Sequence, residues 1–143
     1  DIADPSPGPG EAVVRVAALG MNFADTLITR GKYQFKPELT FSPGAEISGV
    51  IDAVGPGVTA WKAGDRVMAY VNWGGAREKT VVRADALVAL PDAVSDIDAA
   101  GLSVAYGTAM HGFIDRGRIA PGETVVVTGA SGGAGLAAIE VAK

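Results

Sequence analysis

The residues best suited to chemistry are Gly129, Ala130, Ser131, Gly132, Gly133, Ala134 and Gly135, a glycine-rich turn near the end of the chain. Before it, residues 124–127 are β-branched and favour a strand; after it, residues 136–143 have helix-forming composition. Strand, glycine turn and helix in that order bring backbone N–H groups to a helix N-terminus. There, orphan donors and the positive end of the macrodipole attract a phosphate. Glycines also let a dinucleotide's pyrophosphate approach the backbone closely. A purely structural turn is the competing reading, because glycine loops are common.

Fewer polar residues compete for a catalytic role upstream. Asn22 fits the N-cap of a short helix whose third residue, Asp25, places a carboxylate at the helix N-terminus. Asp25 and Glu46 suit scaffold hydrogen bonding better than proton transfer. His111 is the only histidine, but between Met110 and Phe113 on an expected helix it reads as a packed or surface residue rather than a general acid. Trp61 and Trp73 read as packing residues, and Trp73 also suits the lining of a cleft. With no cysteine, disulfides and thiolate metal sites are excluded.

Composition narrows the partners. A chain of 143 residues, 48% hydrophobic, buries one sizeable core. Its net charge of −4, with no run of Lys or Arg, argues against nucleic acid or an anionic membrane as partner. No apolar stretch reaches the roughly 18 residues of a membrane span, and no charged-then-apolar leader marks secretion. The absence of cysteine is compatible with a reducing, cytoplasmic location.

The elements that must position these residues follow from patterning. Residues 1–10, rich in Pro and Gly, form an irregular lead-in. Val14, Val16 and Ala18 share one face of a strand, opposite Val13 and Arg15, and the strand ends at Gly20. Gly31 closes the helix begun at Asn22, with Phe23, Leu27 and Arg30 on one side as its packing face. Residues 32–43 carry Tyr33, Phe35, Phe41 and two prolines without a steady period and form a folded loop, of the kind that often lines sites. Strands are expected at 46–54, 66–71, 80–82 and 87–90, punctuated by turns, as in a β-rich barrel-like domain. Ser95 followed by Asp98 resembles a capping box, and helices are expected from there through residue 113, stopped by Gly117 and Pro121-Gly122.

The expected domains are therefore 1–94, β-rich, and 95–143, connecting helices and the start of an α/β domain. A strand at 125–127, apolar throughout, is expected to be buried on both faces of a parallel sheet, whose other strands are not in this sequence. The chain accordingly reads as part of a longer protein. Alone, it is expected to bind a dinucleotide weakly and to associate through uncovered apolar faces.

Gly20-Met21-Asn22-Phe23-Ala24-Asp25, Arg30-Gly31-Lys32-Tyr33, Phe41-Ser42-Pro43-Gly44-Ala45-Glu46-x-x-Gly49-Val50 and Gly64-Asp65-Arg66-Val67 together resemble the quinone oxidoreductase, zeta-crystallin-like branch of the medium-chain dehydrogenase/reductase superfamily. The closing segment resembles that branch's signature too, with Val126 where Leu is usual and Glu140 where Gln is usual. Thr128-Gly129-x-x-x-Gly133-x-Gly135 also fits the pattern of short-chain dehydrogenases, in which the loop opens the chain. Here more than a hundred residues precede it, which favours the medium-chain family.

The resemblance implies a GroES-like substrate domain of α+β class, lacking its first strands, followed by the first βα unit of an α/β Rossmann domain that binds NADPH. It implies hydride transfer to a quinone or conjugated enone by a cytoplasmic homodimer, the fragment alone being inactive. In alcohol dehydrogenases of the superfamily two cysteines and a histidine hold zinc; the corresponding positions are Asn22, Ala45 and Ala100, so a zinc-free reaction and no metal site are expected. Asn22 is the expected contact near the nicotinamide or the substrate carbonyl, with a simple helix cap as the competing reading; Tyr33 is the aromatic at the pocket mouth able to donate to a quinone oxygen, with a packed loop aromatic as its competing reading; and Ser103 is a partner of the cofactor alongside residues 130–135. Tyr106 shares the segment of Ser103, and ordinary helix packing is the competing reading for both. Leu27 stands where some relatives carry tyrosine, which favours a larger or more apolar acceptor. The alternatives are an enoyl or alkenal reductase with the same parts and a catalytically silent binding protein on this fold.

Overall fold

The computed structural model describes residues 3–143. Asp1 and Ile2, the start of the expected lead-in, lie outside them. The chain divides into two compact units, one ending at Gly101 and one running from Leu102 to Lys143.

The first unit is built on a five-stranded antiparallel sheet. Its strands are β1 (Glu11–Gly20), β2 (Glu46–Val54), β3 (Arg66–Tyr70), β4 (Lys79–Arg83) and β5 (Leu87–Ala89), in spatial order β4-β1-β2-β3-β5. Valines at 13, 14 and 16 give β1 the stiff, branched side chains that suit a pleated surface. Register shifts after Val13 and after Val16 are β-bulges, and Val13 and Val14 are both buried. Ala12, Val14, Ile47, Ile51, Val67, Ala69, Val82 and Leu87 form the core, closed on one side by Trp61, whose indole N–H donates to the Ala84 carbonyl at 2.9 Å.

Helix α1 (Phe23–Ile28) begins where the capping pattern placed it but presents a different face. Asp25 and Ile28 are the buried residues, while Phe23 is 78% exposed, so the expected packing face of Phe23, Leu27 and Arg30 is incorrect. The physical reason is that the Asp25 carboxylate has backbone donors waiting inside, described below, and those bonds fix the helix rotation. Gly31, at φ 64°, closes the helix with its N–H on Ile28 O, and Lys32 N–H returns to Leu27 O.

Ser95 caps α2 (Asp96–Ala99) as expected, its hydroxyl oxygen accepting from Asp98 N–H at 3.1 Å. This helix packs on β1 and β2 and is tied to the sheet: Ser48 Oγ donates to Asp96 O at 2.6 Å, and the Arg66 guanidinium bonds Pro91 O and Val94 O and pairs with Asp96.

In the second unit, π-helical turns at Leu102–Tyr106 and His111–Gly117 flank α3 (Gly107–Met110), and α4 (Gly133–Ala142) follows the glycine turn. The helical run ends with Arg118 in the left-handed conformation, φ 50°, one residue beyond the glycine expected to stop it. The expected strand at residues 124–127 does not form. None of the described strands pairs with it, and Val126 is 84% exposed rather than buried on both faces. A strand is stabilised by its neighbours, and branched residues alone do not make one.

Candidate functional site

In the first unit the polar cluster begins with a missing side chain. Gly20 pairs with Glu46 across β1 and β2, and a Cβ at Gly20 would stand 2.6 Å from Glu46 Cγ and 2.1 Å from the Ala100 carbonyl oxygen. Glycine lets the end of α2 and the Glu46 side chain meet over the strand end. Glu46 and Asp25 are both buried, at 3% and 1% exposure. Buried carboxylates need donors. Asn22 Nδ2 donates to Glu46 Oε1 at 2.9 Å, Asn22 N–H to Asp25 Oδ2 at 2.7 Å, and Gly44 N–H to Asp25 Oδ1 at 2.8 Å. Asp25 and Glu46 thus hold scaffold, as their residue types implied.

Asn22 is doubly fixed. Its extended backbone, φ −120° and ψ 161°, makes it the N-cap of α1, while its amide reaches across to β2. The bond from Nδ2 to Glu46 fixes the orientation of the amide.

The Asp25 bond to Gly44 also anchors the long loop that carries Tyr33. The same end of the loop is pinned to the segment after β3, where Gly74, Gly75 and Ala76 donate N–H bonds to Ser42 O, Gly44 O and Pro43 O. The Tyr33 ring lies 5.8 Å from that of Phe35, which lies 6.3 Å from that of Trp73. Trp73 is the cleft residue that the sequence suggests. The sequence does not point to Tyr70. Tyr70 pairs with Glu46 across β2 and β3, and partial burial raises its phenol above the ordinary value of 10.0, with Tyr33, Asp25 and Glu46 adding to the rise. The signal that could have found it is the alternation of buried Val67 and Ala69 with Met68 and Tyr70; the pairing with Glu46 is not readable from the chain.

In the second unit the glycine turn is held from below. Gly135 is buried, and a Cβ there would stand 2.3 Å from Gly129 O and 2.8 Å from Ala130 Cα, so the turn rests directly on the first turn of α4. Gly129 adopts φ 71°, and Gly132 donates its N–H to Gly129 O at 3.1 Å before serving as N-cap of the ten-residue helix. Ala130, Ser131, Gly132, Gly133 and Ala134 are exposed. A close-packed glycine beneath an open turn at a helix N-terminus fits a pyrophosphate.

Ser103 is half-buried in the first π-helical turn, and Tyr106 donates from its hydroxyl to Glu140 of α4. His111 is an exposed surface residue, its Nδ1 2.7 Å from Asp115 Oδ2 and its Nε2 accepting from Arg116 Nε at 3.2 Å. The structure joins Asn22 to Asp25 and Glu46 by hydrogen bonds and Tyr33 to Phe35 by a ring contact in the first unit; in the second it places Ser103 and the turn on separate elements.

Residues 8–92 match the alcohol dehydrogenase GroES-like domain family. The chain belongs to this family. It is 48% identical over 94% of its length to quinone oxidoreductase-like protein 2 of Rattus norvegicus, and 41% identical over 99% to the human synaptic vesicle membrane protein VAT-1 homolog. These matches span 39% and 36% of those proteins, so the chain covers about two fifths of the curated relatives' length. The quinone oxidoreductase of Thermus thermophilus, solved also in complex with NADPH, superposes with a TM-score of 0.86 at 37% identity, over 99% of this chain and 44% of that one. The GroES-like fold and the quinone oxidoreductase resemblance read from the motifs are borne out. Among the described residues no helix is long and apolar enough to cross a membrane.

Proposed function

We propose that the full-length protein is an NADPH-dependent oxidoreductase that reduces quinones or conjugated enones without zinc. The observation that carries the reading is the exposed glycine turn closed by Gly135, in a chain whose relatives include quinone oxidoreductases. Bound NADPH supplies the hydride. The chain's residues do the rest. Residues 130–135 would hold the pyrophosphate, through the turn's backbone N–H groups other than that of Gly132 and the α4 dipole, and Ser103 would offer the cofactor a hydroxyl. Asn22, fixed through Glu46 and Asp25, orients what lies at the first unit's site, and Tyr33 donates to the acceptor's oxygen. At the positions where zinc-dependent relatives carry ligands, Ala45 and Ala100 have no donor atom, so polarising the acceptor falls to hydrogen bonds. A cytoplasmic homodimer belongs to the same proposal.

NADPH oxidation by the full-length protein, assayed with a panel of quinones and enones, tests it. Turnover is expected with the conjugated acceptors. Cofactor binding without turnover of any acceptor would overturn the enzyme reading in favour of a silent binding protein.

A further inference from the structure

Sheet register places another hydroxyl beside the candidate site. Gly20, Glu46 and Tyr70 form one row across β1, β2 and β3, so the Glu46 and Tyr70 side chains leave the same face of the sheet. Glu46 is buried and bonded to Asn22, whereas Tyr70 remains 46% exposed. Partial burial first, and then the charges of Tyr33 and the two buried carboxylates, oppose ionisation of its phenol. It therefore stays a hydrogen-bond donor through the neutral range.

Beside these hydroxyls lies aromatic surface that the fold leaves in water. Phe35 is 41% and Trp73 37% exposed, and their rings are tilted by 45° at 6.3 Å. Tyr33 continues the row at 5.8 Å from Phe35. Trp73 N–H donates to Val71 O and Gly74 N–H to Ser42 O, which fixes the backbone at Trp73, whose ring in turn meets that of Phe35. Exposed rings in mutual contact, near phenol donors, match a flat, electron-poor ring system with a carbonyl oxygen on its edge.

We propose that Tyr70 is an acceptor-binding residue: its hydroxyl, with that of Tyr33, holds a carbonyl oxygen of a fused-ring quinone whose planar body lies against Phe35 and Trp73. This rests on the oxidoreductase reading above and narrows it to fused-ring quinones over aliphatic enals, which offer the oxygen without the ring.

The test uses the full-length protein with NADPH and two acceptors, 1,4-naphthoquinone and trans-2-butenal. Tyr70→Phe keeps the ring and removes the donor; it is expected to raise KM for naphthoquinone about fivefold with kcat little changed, the size of one hydrogen bond. Trp73→Ala is expected to lower the ratio of kcat/KM for naphthoquinone over butenal about tenfold, the size of one lost aromatic contact. Unchanged thermal midpoints and NADPH affinity show that both variants fold. An unchanged naphthoquinone KM in Tyr70→Phe, or an unchanged ratio in Trp73→Ala, overturns the inference and leaves the oxidoreductase reading standing. If the unsubstituted protein reduces neither acceptor, that reading falls instead. Calorimetric binding of naphthoquinone then decides the inference: weakening in Tyr70→Phe supports it, and no difference overturns it.

Discussion

The polar cluster around Asp25 and the glycine turn around Gly129 both rest on backbone N–H groups, but they are assembled over different distances. In the cluster, Asp25 reaches Gly44, 19 residues away, and Asn22 reaches Glu46, 24 away, and both carboxylates are buried. In the turn, the closing contact runs from Gly135 to Gly129, within one loop, and residues 130–134 face water. The cluster is therefore a product of the sheet and should fail with it. The turn is a local geometry and should fail alone.

The largest effect expected from this contrast is on Asp25. Asp25→Ala removes the acceptor of both the Asn22 and the Gly44 N–H groups at a buried site and frees the Gly44 end of the Tyr33 loop from α1. Unpaired buried donors cost about 1–3 kcal/mol each, so the urea unfolding free energy of the full-length protein should fall by about 3 kcal/mol. A loss below about 1 kcal/mol would mean that the loop is held without the cluster.

Gly135→Val tests the other side. A side chain in the space now shared with Gly129 O must push the turn off α4. Overpacking of this kind costs about 1–3 kcal/mol, and if the strain falls on the bound geometry NADPH affinity drops about tenfold or more. Fluorescence titration with NADPH reads this, and urea unfolding of the first unit should not shift. A first-unit shift as large as that of Asp25→Ala would show that the turn is not the local structure its contacts describe.

The same contrast explains what the chain made legible. Glycines at 129, 132 and 135 and the Ser95 to Asp98 spacing act within a few residues, and both the turn and the cap are found where the pattern put them. Valine-rich β1 and the glycine that ends it are legible for the same reason. The rotation of α1 is not, because Phe23 and Leu27 look like its packing face until Gly44 is known to stand over Asp25. Tyr70 escaped notice because only the β2/β3 register sets it opposite Glu46. Residues 124–127 failed in the opposite sense: their composition is that of a strand, but pairing is a property of two segments.

The smallest effect concerns Asp65, a carboxylate of the same type as Asp25 in the opposite setting. It lies in the exposed turn before β3, with Lys62 Nζ 2.6 Å from Oδ1 and Lys62 N–H donating to Oδ2 at 3.0 Å. The Lys62 ammonium first, and its backbone N–H second, hold the carboxyl below its ordinary 3.8. A depressed folded-state pKa adds stability that is present above 3.8 and is lost as the pH falls from there through the folded value. Lys62→Met removes the ammonium and keeps the N–H, so wild type and variant should differ slightly above 3.8 and converge in more acidic solution. Added salt should narrow the difference, since the Lys62 side chain is 82% exposed. Urea unfolding across the acid range reads both trends. A difference that widens below 3.8, or that matches the loss from Asp25→Ala, would show that an exposed pair can hold this fold as the buried cluster does.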